Sequence, residues 1–194
     1  MDGFSRAINL NTSWPIASSD NLELTIAGQV HWAETYLHAA ELLNQEPRDI
    51  LSGKVFSGPL MQLVGLANEL TLKVILKGAG VDAKQLKKFS HNTYNAYMAA
   101  RQSFDEVEFI KLVLSNTAHL TVPDEVIERL REAGEERPSE YWRFYPNHLR
   151  ILDGVYDRPY RNRYATPGPI VLPEPDILLI GAKILLAAMK EKVE

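Results

Sequence analysis

Apolar residues recur along most of this chain every three to four positions, the spacing that gathers them on one face of an α-helix. Across residues 21–44, Ile26, Val30, Ala33, Leu37 and Ala40 form one such stripe, and Pro47 stops the run. The pattern over residues 57–77 is different. Leu63, Leu66, Ala67, Leu70 and Val74 make one apolar face, while Met61, Val64, Leu72 and Ile75 make another nearly opposite. A helix apolar on both sides belongs in the middle of a bundle. Pro59 is expected in its first turn, and Gly78 and Gly80 mark its end. The narrow stripe left between the two faces holds Gln62, Glu69 and Lys73.

Further helical segments follow. Asp82 or Ser90 can cap turns leading into a helix over 91–102, and another covers 104–115. Pro123 followed by Asp124 and Glu125 reads as a helix start, and residues 134–138 break the pattern. Residues 141–155 are expected to be helical in part, with Pro146 disfavouring regular helix around it. The closing helix spans 175–192, with Asp176 at its positive end and Lys190 and Lys192 at its negative end. Only 170–172 looks extended, hemmed in by Pro167, Pro169 and Pro173. The fold expected is an all-α helical bundle of about five to seven helices with a buried central second helix. One domain covers residues 20–194, preceded by an extended arm at 1–19.

Composition narrows the chemistry. At 194 residues one core suffices, and 45% hydrophobic with 24% charged residues is ordinary for a globular chain. The net charge of −4 means that any grip on nucleic acid must come from a local patch. With no cysteine, disulfides, thiolate metal sites and a thiol nucleophile are excluded. The N-terminus lacks the pattern of a signal peptide, and the apolar tract 177–189, interrupted by Lys183, is too short to span a membrane. A cytoplasmic location is expected. Gly-rich phosphate loops, the serine nucleophile elbow and the zinc-protease pattern are all missing, and no cofactor is expected.

Several polar groups remain as candidates. Glu69 and Lys73 stand four apart, in the order that favours a helical ion pair. On a helix buried from two sides such a pair needs further partners. A structural polar network and a ligand site would make the same contacts. The run from Tyr156 to Tyr164 is basic and aromatic; its arginine forks suit phosphates and its tyrosines can stack on bases, or it is a loop pinned to the bundle. His31, Glu34, His38 and Glu41 share one side of the first helix, but with no matching ligands elsewhere they read as a solvated face and no metal site is expected. Lys84, Lys87 and Lys88 read as surface charge, and His119 has no obvious companion.

Three pieces of the chain, in order, resemble the HEPN superfamily of helical-bundle proteins. The first is Asn68-Glu69-Leu70-Thr71-Leu72-Lys73, followed by Ile75-Leu76 and a glycine. The second is His91-Asn92-Thr93 at a helix start, and the third is Arg163-Tyr164 in a Pro-containing connection before the closing helix. They span roughly residues 60–190. The resemblance implies a helical bundle working as a homodimer and binding a nucleotide or RNA. It nominates His91 and Arg163 as partners of Glu69 and Lys73, with Arg163 holding phosphate and Tyr164 packing or stacking. Some members are metal-independent RNases of toxin or anti-phage type, with an Arg and a His one to two helical turns apart near the start of a late helix. Here the closing helix has neither residue, and the available pair is Arg143 and His148 in an earlier segment. An RNase would use His148 as general acid/base and Arg143 against phosphate charge. A non-catalytic oligomeric scaffold is the third reading.

Overall fold

The computed structural model describes residues 25–45, 53–157 and 171–191. Among the described residues the secondary structure is all helical. Within the described residues nine α-helices follow in order: α1 (Ile26–Gln45), α2 (Gly53–Gly78), α3 (Ala83–Lys88), α4 (Thr93–Ala100), α5 (Glu106–Asn116), α6 (Asp124–Glu132), α7 (Pro138–Trp142), α8 (Tyr145–Tyr156) and α9 (Pro175–Lys190). The molecule is an all-α bundle with α2 at its centre, touching α1, α3, α4, α8 and α9.

The number of helices exceeds seven for local reasons. Asp82 caps the short α3 through the Gln85 amide, and Asn92 caps α4 separately through the Asn95 amide, so the turns after Gly80 fall into two helices. Residues 141–155 likewise divide, because the chain turns at Arg143 and Phe144 between α7 and α8. Pro146 does not disrupt α8 but opens it. It sits in the first turn, where a missing N–H costs nothing. Pro59, in turn, lies inside α2 rather than in its first turn. Val171 and Leu172 form no strand, and Ile170 and the arm at 1–19 lie outside the described residues.

The two faces of α2 differ. Met61, Val64, Leu72 and Ile75 are fully enclosed, whereas Leu63, Leu66 and Leu70 on the other side are only half-buried. From Gly58 to Gly78 this helix is long and apolar enough to cross a membrane, but most of that stretch is covered by its neighbours. Tyr145 and Tyr156 stand three turns apart on α8 and are both buried. Each ring lies close against a glycine of another helix. A Cβ on Gly181 of α9 would come 2.3 Å from the Tyr145 ring, and one on Gly65 of α2 would come 2.3 Å from Tyr156. The bundle closes around these two contacts.

Candidate functional site

Tyr156 ends α8 beside Glu69 of α2, and a polar cluster forms around Glu69. The glutamate is buried. Its Oε1 accepts from Lys73 Nζ at 2.5 Å, and its Oε2 accepts from the Tyr156 hydroxyl at 2.7 Å. His91 Nδ1 lies 2.9 Å from the same Oε2. Burial pushes the Glu69 carboxyl up, but hydrogen bonds from Lys73, His91 and Tyr156 and the lysine charge outweigh it and hold the group below its ordinary value. An ionised carboxylate only accepts, so the His91 proton on this side sits on Nδ1.

The surroundings fix the two nitrogen groups. Lys73 Nζ also donates to the Ser90 carbonyl at 2.9 Å. Ser90 holds φ at +50°, a left-handed conformation uncommon for a residue with a Cβ. That turn aims the Ser90 carbonyl at Lys73 and delivers His91 to Glu69. The His91 ring meets Tyr156 edge-on at 5.5 Å. The lysine and histidine side chains are 22% and 32% exposed, against 8% for the glutamate. A buried carboxylate thus underlies two half-exposed nitrogen groups.

A second carboxylate braces the same corner. Asp153 of α8 accepts from the backbone N–H and hydroxyl of Thr93 at 2.7 Å each and from the Tyr94 N–H at 2.9 Å. Those amides belong to the first turn of α4, whose orphan donors and positive end favour an anion. Burial raises the Asp153 carboxyl above its usual range, and the bonds from Thr93 and Tyr94 only partly counter it. One turn before Asp153, Arg150 lies over the Tyr94 ring at 5.0 Å. Deeper in the core, the Tyr145 hydroxyl donates to Asn68 Oδ1 at 2.6 Å.

The structure therefore joins three of the residues expected to act together: Glu69, Lys73 and His91. Arg163 and Tyr164 lie outside the described residues. Arg143 and His148 are committed to backbone groups. Arg143 Nη2 donates to the Leu120 carbonyl at 2.6 Å and Nη1 to the Ser139 carbonyl at 3.3 Å. His148 is 3% exposed. Its Nδ1 accepts from the Glu174 N–H at 3.0 Å, so Nε2 carries the proton and donates to the Trp142 carbonyl at 2.5 Å. Burial lowers its pKa despite the Trp142 carbonyl. In this arrangement neither ring nitrogen is left for proton transfer, and the residue serves as a strut between α7, α8 and the start of α9.

The polar side of α1 is less open than its sequence implies. Glu34 pairs with Lys190 and Glu41 pairs with Lys183 at 2.9 Å, so α9 supplies its counter-charges. No group of three or more metal-type ligands forms among the described residues. Tyr156, Asp153 and Ser90 escape a reading from sequence as parts of the cluster. Only the aromatic run beginning at Tyr156 hinted at the first. No family model matches the chain, and neither does any curated protein or solved structure.

Proposed function

We propose that this chain is a HEPN-like cytoplasmic protein that binds a nucleotide or RNA and works as a homodimer. The observation that carries the reading is the layering at Glu69. A buried, ionised carboxylate holds two half-exposed nitrogen groups, Lys73 and His91, in place. Fixed N–H donors of this kind suit a phosphate, because their ordering cost is already met before the ligand arrives. Tyr156 joins the cluster at the point where the Arg- and Tyr-rich run begins, which supports Arg163 and Tyr164 as further contacts. The chain's net charge of −4 favours a compact anion held locally over a long duplex.

Binding is preferred over cleavage because Arg143 and His148 are occupied by backbone groups. Thermal-shift titration against a panel of nucleotides and short RNAs tests the reading, with Lys73→Met and Arg163→Ala alongside. A rise in melting temperature with one ligand class, lost in both variants, supports it. No shift with any ligand, together with an Arg163→Ala variant that merely melts lower, leaves a non-catalytic scaffold in its place. Chelator-resistant RNA cleavage that disappears in His148→Ala would restore the nuclease reading.

A further inference from the structure

On the half-buried side of α2 lies a cleft of about 450 Å³, bounded by α1 and α3. Trp32 and Tyr36, one turn apart on α1, form one wall with their rings stacked at 6.1 Å and only 25° from parallel. Leu66 and Leu70 of α2 form the facing wall, and Leu86 of α3 contributes to the lining. Among the described residues that line it, Lys73 is the charged one. Trp32 remains 44% exposed. Its volume falls within the range of small-molecule sites, which combine apolar walls with a few placed polar groups.

We infer that this cleft binds a flat, mainly apolar small molecule carrying a single anionic group, an aromatic carboxylate in chemical class. The half-exposed Trp32 ring on this wall offers a flat partner a surface to stack on. Lys73 supplies the charge complement, and its ammonium is already positioned by Glu69 and the Ser90 carbonyl. Lys73 also belongs to the cluster proposed to hold phosphate, so a ligand in the cleft and one at the cluster would compete for its ammonium. The inference does not rest on nucleotide binding at the cluster and stands if that reading fails.

The test is a titration of the full chain with 2-naphthoate, following the tryptophan indole N–H signals by NMR. The Trp32 signal is identified by its loss in Trp32→Ala. A saturable shift of Trp32 with no change at Trp142 is expected. The neutral isostere 2-naphthamide should bind about tenfold more weakly, having lost a charge-assisted contact. Leu70→Trp, which fills the cleft, should abolish the shift. Trp32→Ala removes only a half-exposed ring and should lower the affinity seen in ligand-observed spectra, so the test survives a misfolded Leu70→Trp. A Trp32 signal unmoved by millimolar naphthoate would overturn the inference. So would equal affinity for the acid and the amide, or binding unchanged in both variants.

Discussion

The Tyr156 hydroxyl donates to Glu69 Oε2 at 2.7 Å across 87 residues of chain, while its ring rests on Gly65, one turn earlier on the same helix. Shape and charge are thereby coupled at one point. The ring reaches the carboxylate only because residue 65 has no side chain, and the carboxylate tolerates burial in part because the hydroxyl arrives.

Removing the charge at Glu69 should therefore cost more than an ordinary surface ion pair. Glu69→Gln keeps the volume but weakens bonds to Lys73, His91 and Tyr156. A loss of about 2 kcal/mol is expected, the scale of a charged hydrogen bond with partners left unmatched. A double-mutant cycle with Tyr156→Phe, followed by urea denaturation, should show coupling of about 1 kcal/mol. Additive losses would mean that the hydroxyl and the carboxylate do not interact.

Three helical glycines should behave differently when replaced by alanine. Gly65→Ala and Gly181→Ala each drive a Cβ into a tyrosine ring, and overpacking of that kind costs about 1–3 kcal/mol. Gly154, inside α8, has nothing within 4 Å of where its Cβ would be. Gly154→Ala should stabilise by about 0.5–1 kcal/mol through backbone entropy. Melting curves of the three variants suffice, and equal effects at all three sites would contradict the close ring contacts.

Acidification should weaken the fold through His148. Its folded pKa lies below the usual imidazole value of 6.5, so as pH falls through that value the unfolded chain takes up a proton that the folded chain refuses. The stability present above pH 6.5 is lost progressively below it, until the folded imidazole also protonates. In His148→Gln the melting temperature should be lower at pH 7.5 and should fall less between pH 7 and pH 5. Parallel curves for the two proteins would remove His148 from this role.

Ser90 offers a test of backbone strain. At φ +50° a β-branched side chain is strongly disfavoured, so Ser90→Val should cost about 1–2 kcal/mol. Ser90→Asn, which accepts the left-handed region, should be close to neutral. If both variants melt alike, the turn that presents the Ser90 carbonyl to Lys73 is not strained.

Much of the bundle is legible from spacing alone. Val30, Ala33, Leu37 and Ala40 are buried along one side of α1, and α2 is central because both its sides carry apolar residues. Proline is less legible. Pro59 and Pro146 look alike as local signals, yet one lies inside a helix and the other opens one, because a proline suits a first turn without fixing where the helix begins. The Glu69–Lys73 pair could be read because four residues make one helical turn.

What sequence determines in this protein is periodic: which segments are helices, which faces are apolar, and that a charged pair interrupts a central helix. Periodicity describes neighbours along one helix and carries no information about which other helix arrives there. Only the tertiary structure brings Tyr156 and His91 to Glu69, sets Asp153 at the head of α4, and occupies both nitrogens of His148. Those contacts span long stretches of chain. They depend on ring-on-glycine approaches and a left-handed turn, in which a single glycine or serine decides the geometry.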